Sequence, residues 1–278
     1  MKNLNLGVHC SVSGGLELAF EEAKILGIDA MQIFTRNQRQ WKAKPIAAEE
    51  KTAYNQAAKA SAIKYMFSHC SYLINLAAEV PDNREKSITA LTDEVIRCTE
   101  LGLQYCVLHP GAAGSQDFGT AISKIADGIN EVIAATPESK VLILLENTAG
   151  QGTSVGGSFE NLREIYQQVD SKRVGFCFDT CHAFAAGYDI RTNSGADDTM
   201  DAFDKILGLK NLKVFHLNDS KGDLGTHLDR HDHIGKGKLG IVPFQYIMKR
   251  FSAVPKVIET PKEDDWDQVN LELLRSLA

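Results

Sequence analysis

Short apolar segments and helical segments alternate along the whole chain, and this alternation limits the possible folds more than any other feature. Each apolar segment is rich in β-branched, aromatic or leucine residues, which is typical of a buried strand. Strand followed by helix implies parallel strands joined by helical crossovers. Eight such units predict an α/β fold that closes into a (β/α)8 barrel, the TIM-barrel architecture. The predicted strands are 4–11, 29–35, 64–70, 104–110, 140–147, 173–180, 211–219 and 255–260.

The chain has 278 residues, which suits one such barrel of about 250 residues. No low-complexity tract or flexible linker divides it, so we expect a single catalytic domain over residues 1–278. The clearest helices are predicted at 83–101 and 118–135, with Asp82 and Asp117 as their N-cap residues. The longest irregular stretch is 221–239, and loops of that length inside a compact domain are usually functional.

Composition restricts the environment and the partners of the chain. The net charge of −6 means that any affinity for DNA requires a local positive field. There is no signal-peptide core and no transmembrane run, so we expect a cytoplasmic protein. The six cysteines form no C-x-x-C pair and no zinc-ribbon spacing, and we interpret them as mostly reduced packing residues.

Ligand-type side chains recur at the carboxyl ends of strands three to eight and in the loop after strand seven. These strand ends meet at one face of a barrel, where active sites are built, so the side chains are expected to converge. Capping of the following helices would favour Ser, Thr, Asp and Asn, and does not explain so many His and Glu residues. The nine residues are His69, His109, Glu146, Asp179, His182, His216, Asp229, His231 and Glu259.

Five imidazoles and four carboxylates in one pocket indicate divalent metal ions. Four carboxylates close together repel one another and raise each other's pKa unless cations lie between them. Imidazole-rich sites with added carboxylates favour zinc, whereas sites made mostly of carboxylates favour magnesium or manganese. Nine ligands are too many for one tetrahedral ion and enough for two or three.

Side-chain alternation along the strands supports this geometry. In strand six the large apolar residues Val174, Phe176 and Phe178 share one face, and Asp179 lies on the other. In strand five Glu146 shares its face with leucines. The inward face is therefore expected to begin as core and to end in ligands.

Other residues near these positions are open to two interpretations. His9 ends the first strand and is either structural or in contact with a ligand, and His227 and His233 either face solvent or contact a ligand. Cys70 and Cys181 adjoin ligands, but neighbours along a strand point to opposite faces, so we exclude both from the ligand set.

The second βα loop, 36–45, is basic and contains Trp41. Its cations are either merely solvated or in contact with phosphate. They are Arg36, Arg39, Lys42 and Lys44.

Five motifs occur in a fixed order over almost the whole chain. They are FTRNQRQW at 34–41, SYLINL at 71–76, DTCHAFAAGYD at 179–189, HLNDSK at 216–221 and DRH at 229–231. In these motifs the chain resembles the endonuclease IV family of zinc-dependent abasic-site DNA endonucleases. Because the motifs are long and ordered, the resemblance is specific.

The resemblance implies three zinc ions as cofactors. One would be held by His69, His109 and Glu146, and a second by Glu146, Asp179, His216 and Glu259, with Glu146 bridging the two. The third would be held by His182, Asp229 and His231. Glu146 is the implied catalytic residue, and Arg39, Tyr72 and Leu73 are the implied DNA-binding residues.

The resemblance also implies an activity in DNA repair. A trinuclear zinc mechanism would hydrolyse the phosphodiester 5′ to an abasic site in double-stranded DNA, leaving a 3′-hydroxyl and a 5′-deoxyribose phosphate. A 3′-phosphodiesterase activity on blocked ends is implied as well. We expect a monomer with no membrane partner.

Two other functions remain open on the sequence. A sugar isomerase on a similar barrel would use divalent metals, but its site would consist mostly of carboxylates, with one or two ions. A DNA- or metal-binding barrel without catalysis is the second alternative, and whether nicking occurs would distinguish it.

Overall fold

The computed structural model describes residues 4–278, and residues 1–3 of the predicted domain lie outside the described residues. Eight parallel strands form a closed barrel, in which the first strand pairs with both the second and the last. The predicted TIM barrel is therefore confirmed. The strands of the barrel are β1 (Leu6–His9), β2 (Ala30–Ile33), β3 (Tyr65–His69), β4 (Tyr105–Leu108), β5 (Leu142–Glu146), β6 (Val174–Asp179), β7 (Leu212–His216) and β10 (Lys256–Ile258).

Helices surround the barrel and connect its strands. The helix predicted at 118–135 has these bounds, and Asp117 caps it by accepting from the Thr120 amide. The helix predicted at 83–101 begins earlier, at Pro81, because proline suits the first turn; Asp82 lies inside that turn and is not the cap. The helices are α1 (Ala19–Leu26), α2 (Ala48–Ala60), α3 (Pro81–Leu101), α4 (Phe118–Ala135), α5 (Phe159–Tyr166), α6 (Thr180–Ala186), α7 (Asn193–Leu207), α8 (Val242–Arg250) and α9 (Trp266–Ser276).

The core has two parts, inside the barrel and between the barrel and the helices. Phe176 and Phe178 of β6 lie in the outer part, whereas Cys177 lies inside with Leu144 of β5. The alternation predicted for these strands is confirmed. The buried side chains that fill the interior are Ala30, Phe67, Val107, Leu144, Cys177, Val214 and Val257. Because this packing closes the barrel below the ligand positions, the site opens only at the carboxyl-terminal face.

The two ends of the stretch 221–239 are held close together. The buried carboxylate of Asp219 accepts from the amides of Ser220 (2.7 Å) and Leu239 (2.9 Å). Two short strands, β8 (Asp219–Ser220) and β9 (His231–Asp232), pair in antiparallel fashion. The stretch predicted as irregular is therefore a long loop whose ends lie close together and which includes one short strand of an antiparallel pair. Within residues 4–278, no helix has the length and apolar character needed to cross a membrane.

Candidate metal centre

The nine ligand-type side chains converge at the carboxyl-terminal end of the barrel. They reach this face from six strands, one helix and one loop, so the fold as a whole positions them. His69, Glu146, Asp179 and His216 end β3, β5, β6 and β7, His109 and Glu259 directly follow β4 and β10, His182 lies in the first turn of α6, and Asp229 and His231 lie in 221–239.

Glu146 lies at the centre of this cluster, with no exposed side-chain surface. Its Oε2 lies 3.2 Å from His69 Nε2 and 3.1 Å from His109 Nε2. Its Oε1 lies 2.9 Å from His216 Nδ1 and 3.3 Å from His182 Nδ1. The two carboxylate oxygens therefore face different groups of imidazoles, as a bridging ligand would.

A second group surrounds His216 Nδ1. Besides Glu146, this nitrogen lies 3.2 Å from Glu259 Oε2 and 3.9 Å from Asp179 Oδ2. Asp179 also caps α6 by accepting from the His182 amide at 2.8 Å. The Asp179 side chain therefore both caps α6 and belongs to the cluster.

A third group forms around the partly exposed Asp229. Its Oδ1 lies 3.2 Å from His182 Nε2 and 3.5 Å from His231 Nε2. Both nitrogens are buried and have no hydrogen-bond partner among residues 4–278. Because buried polar atoms are normally paired, these two nitrogens beside one carboxylate oxygen fit the role of metal ligands.

The histidine rings are held so that one nitrogen of each faces the cluster. In His69, His182 and His231 the Nδ1 atom contacts a main-chain carbonyl and Nε2 faces the cluster. In His182, Nδ1 also lies 3.3 Å from Glu146 Oε1. In His216 the arrangement is reversed, because Nε2 contacts the side-chain oxygen of Gln32 at 2.9 Å. Such outer partners typically fix the tautomer of metal-bound histidines. The carbonyls belong to Cys70 for His69 (2.8 Å), Asn147 for His182 (3.0 Å) and Glu259 for His231 (3.1 Å).

Without cations, the cluster is a buried network of ion pairs. Burial would raise the pKa of Glu146, but the charges of His216 and His109 hold it well below its usual value. Burial would also raise the pKa of Asp229, yet contact with His182 lowers it to about 2. Conversely, the neighbouring carboxylates raise the pKa of His182 well above its usual value despite burial. Glu146 and Asp229 are thus held ionised, as metal ligands must be.

These residues fit divalent cations. The donor atoms of His69, His109 and Glu146 lie within 4.8 Å of one another, and so do those of His182, Asp229 and His231. Imidazole nitrogens together with carboxylate oxygens are the donor set that zinc prefers. Unpartnered nitrogens, fixed tautomers and ionised carboxylates all favour a metal centre over a structural polar cluster.

Two residues of the site were missed in the sequence. Asn218 donates to Asp179 Oδ2 (2.7 Å) and accepts from the Glu259 amide (2.8 Å), linking two of the nine side chains. Gln32 contacts His216 and Glu259 from β2. A polar residue on the inward face of an apolar strand is the signal that identifies Gln32.

The residues left ambiguous take different positions. His9 Nδ1 lies 2.8 Å from Gln32 Nε2, so it joins the surroundings of the centre. His227 contacts the Ala149 carbonyl at 2.9 Å. His233 is buried and stacks on Trp266 with ring centroids 4.0 Å apart.

The two cysteines beside ligands also differ. Cys70 Sγ lies 3.2 Å from Cys106 Sγ in the outer core, away from the cluster. Cys181 Sγ donates to the Arg230 carbonyl at 3.7 Å. Burial raises the pKa of the Cys181 thiol to about 12.

Of the three implied DNA-binding residues, Tyr72 lies beside the histidines of the centre. The Tyr72 ring lies 5.2 Å from the His69 ring and 5.7 Å from the His109 ring, and its side chain is 63% exposed. Leu73 and Arg39 are exposed as well. An exposed aromatic and an exposed aliphatic side chain beside a metal centre form an apolar surface at the entrance.

The basic loop contributes fewer free cations than its sequence suggests. The buried Arg36 contacts Asp93 (2.9 Å) and the carbonyls of Gln40 (2.9 Å) and Trp41 (2.5 Å). Arg36 therefore stabilises the loop and is not available to a phosphate. Trp41 is half-buried and packs against the hydrophobic core, which anchors the loop.

Known proteins agree with this geometry. The family described as xylose isomerase-like TIM barrel matches residues 20–277. Proteins named probable endonuclease 4 from Trichlorobacter lovleyi and Chloroflexus aurantiacus are 47% and 46% identical over 277 residues. These alignments cover 98% of this chain and 99% and 97% of the relatives. This chain belongs to the endonuclease IV family.

A solved endonuclease IV supports the same assignment. The enzyme from Thermus thermophilus matches with a TM-score of 0.88 and 33% identity, over 98% of both chains. A D-tagatose 3-epimerase-like protein matches with a TM-score of 0.77 but only 19% identity. The second similarity shows the barrel alone, so it does not extend sugar chemistry to this endonuclease IV family member.

Proposed function

We propose that this protein is a zinc-dependent DNA-repair endonuclease that acts as a monomer at abasic sites in double-stranded DNA. It hydrolyses the phosphodiester 5′ to the lesion, leaving a 3′-hydroxyl and a 5′-deoxyribose phosphate. It also removes blocking fragments from 3′ ends as a phosphodiesterase. The observation that carries this proposal is the convergence of five imidazoles and four carboxylates around Glu146 in a member of an endonuclease family.

Three groups of side chains would hold three zinc ions. When bound, zinc supplies a Lewis acid for a phosphodiester and makes water a nucleophile at neutral pH. In each group an imidazole nitrogen already faces a carboxylate oxygen, at 2.9–3.9 Å for the pairs given above. The groups are His69, His109 and Glu146; Glu146, Asp179, His216 and Glu259; and His182, Asp229 and His231.

The metal centre resolves the conflict between a chain charge of −6 and a polyanionic substrate. Three divalent cations bring six positive charges against four carboxylates, which leaves a local positive charge at the mouth. A phosphate can therefore bind at this face although the protein as a whole is acidic.

Glu146 holds the centre together. Both of its oxygens face imidazoles, and the histidine charges keep its pKa low enough for it to stay ionised although it is fully buried. Its proposed role is to bridge two cation positions and keep them at a fixed separation. With metal bound, the site would orient a phosphodiester for attack by water on phosphorus. The P–O bond to the departing 3′ oxygen would break, and no covalent enzyme intermediate would be required.

Lesion recognition is assigned to the exposed side chains at the entrance. An abasic nucleotide has no base to pair or stack, so its extrusion from the duplex costs less than that of an intact nucleotide. Tyr72 and Leu73 can wedge into the stack and stabilise the resulting bend. Arg39, exposed on the second βα loop, would contact the backbone beside the lesion.

Tyr72→Ala is expected to weaken binding to an abasic duplex while zinc content stays unchanged. Stacking of a base on an aromatic side chain contributes about 1–3 kcal/mol, so the dissociation constant should rise about 5- to 150-fold. Fluorescence anisotropy with a labelled duplex measures this change, and metal analysis accompanies it. Ile25→Ala is the control, because Ile25 is 82% exposed on α1, which leads into the opposite end of the barrel. Equal affinity of Tyr72→Ala and parent would exclude the wedge.

The proposed activity is tested with zinc-loaded protein and a duplex that contains one abasic analogue. We expect a single nick on the 5′ side of the analogue, no nick in the intact duplex, and no nick after chelation. Sugar isomerisation is assayed in parallel, since the barrel is shared with a sugar epimerase-like protein. Isomerisation without nicking would overturn the endonuclease proposal, and DNA binding without nicking would leave only a binding protein.

A further inference from the structure

We propose that Gln32 is a positioning residue for the metal centre, which orients His216 and Glu259 and thereby sets how tightly metal is held. This inference rests on the proposed zinc-dependent function. Gln32 lies on β2, a strand that contributes none of the nine ligand-type side chains. Its side chain reaches the cluster because β2 neighbours β1 in the closed barrel and its residue 32 pairs with His9.

The amide of Gln32 bridges two of the nine side chains. Its Nε2 donates to Glu259 Oε1 at 2.5 Å and lies 2.8 Å from His9 Nδ1. Its Oε1 lies 2.9 Å from His216 Nε2. Gln32 is fully buried, so each of these contacts replaces a hydrogen bond that water would otherwise make.

The contact with Glu259 determines which way the amide faces. The opposite orientation would place the amide oxygen against the Glu259 carboxylate, where two acceptors repel. With Nε2 facing Glu259, Oε1 must face His216 and can only accept. His216 Nε2 therefore donates to this oxygen, and Nδ1 is the nitrogen that faces Glu146 and Glu259.

His216 differs in this respect from three other histidines of the cluster. The rings of His69, His182 and His231 are held by main-chain carbonyls, which no substitution removes. The ring of His216 is held by a side chain, which contacts its Nε2 while its Nδ1 faces the cluster. The orientation of His216 is therefore open to a direct experimental test.

The test substitutes Gln32→Met, which keeps the length of the side chain and removes its hydrogen bonds. Outer partners of metal ligands typically contribute 10- to 100-fold in affinity, so we expect zinc to bind about 10- to 100-fold more weakly. Competition with a chromophoric chelator measures the zinc affinity. In the zinc-loaded protein, histidine ¹⁵N NMR is expected to show His216 with the proton on Nε2 in the parent and a mixture of tautomers in the variant.

Gln104→Met is the matched control. Gln104 is likewise a glutamine whose side-chain amide makes hydrogen bonds between neighbouring segments. Its partners are the Met66 amide (2.7 Å) and the Lys64 carbonyl (2.9 Å), at the far end of the barrel. Its loss is expected to lower thermal stability and to leave zinc affinity unchanged. If Gln32→Met does not fold, Gln32→Glu serves instead, because it keeps the acceptor for His216 and loses the donor to Glu259. We expect this variant to keep the His216 tautomer and still to bind zinc more weakly.

The outcomes separate this inference from the function on which it rests. If the parent protein binds no zinc, the metal centre and the role of Gln32 both fail. If the parent binds zinc and the Gln32 variants bind it equally well, only the role of Gln32 fails. A lower melting temperature with unchanged zinc affinity would likewise overturn it, since that result describes a residue with a purely structural role.

Discussion

Glu146→Gln is expected to reduce cleavage of an abasic duplex by on the order of 10³-fold or more. The substitution removes the negative charge of a carboxylate whose two oxygens face different histidines, His69 and His216. Metal-assisted hydrolysis draws several kcal/mol of transition-state stabilisation from its ions, and each 1.36 kcal/mol corresponds to a factor of about ten in rate. Single-turnover cleavage, with zinc content measured on the same sample, gives the effect on the chemical step.

Glu94→Gln provides the matched control for this substitution. Glu94 is also a buried glutamate, but it lies outside the cluster and accepts from the Thr35 hydroxyl at 2.9 Å. We expect Glu94→Gln to alter stability and to leave cleavage near the parent rate. Substantial cleavage by Glu146→Gln with a full zinc complement would contradict the role assigned to Glu146.

Removal of metal is expected to abolish cleavage and to lower the melting temperature by about 5–10 °C. A ligand present at about 100 times its dissociation constant stabilises the folded state by about 2.7 kcal/mol, which corresponds to several degrees in a chain of this size. The ion-paired histidines and carboxylates of the stripped cluster retain part of the stability. Differential scanning calorimetry before and after chelation measures the shift.

Adding one kind of metal ion back to the chelated protein identifies the metal that the site prefers. Zn²⁺ is expected to restore both the melting temperature and cleavage, whereas Mg²⁺ is not, because five of the nine donors are imidazoles. Identical melting curves with and without chelator, together with undiminished cleavage, would exclude a metal centre. Full restoration by Mg²⁺ alone would exclude zinc as the preferred ion.

The barrel and the positions of the ligands were predictable because both depend on local periodicity. Strand alternation predicted that Asp179 points inward and that Phe176 points outward, and both predictions are confirmed. The predicted strands were too long at their ends, since residues such as Asn147 and Thr180 directly follow apolar strands in the sequence but bond across to neighbouring segments in space. Boundaries depend on these long-range bonds, which a linear pattern does not contain.

Other features could not be predicted because they depend on contacts between distant segments. Gln32 and Glu259 are 227 positions apart, and their hydrogen bond exists only once the barrel has closed. Arg36 reads as a free cation in the sequence, yet the fold buries it against Asp93 of α3. The position of Asp82 was misjudged because a proline before it can start the helix without a side-chain cap.

The loop between Asp219 and Leu239 divides the nine side chains into two sets. Two of them lie on this loop, and the other seven lie at the strand ends or in α6. Glu146 and the strand-end histidines are held by the barrel strands, whereas Asp229 and His231 lie in a segment outside the barrel. That segment is held by the Asp219 carboxylate, by the pairing of β8 with β9 and by the contact of His231 Nδ1 with the Glu259 carbonyl. Segments outside the barrel can open locally without global unfolding. Local opening of this stretch would separate Asp229 and His231 from His182 while the side chains at the strand ends stay together.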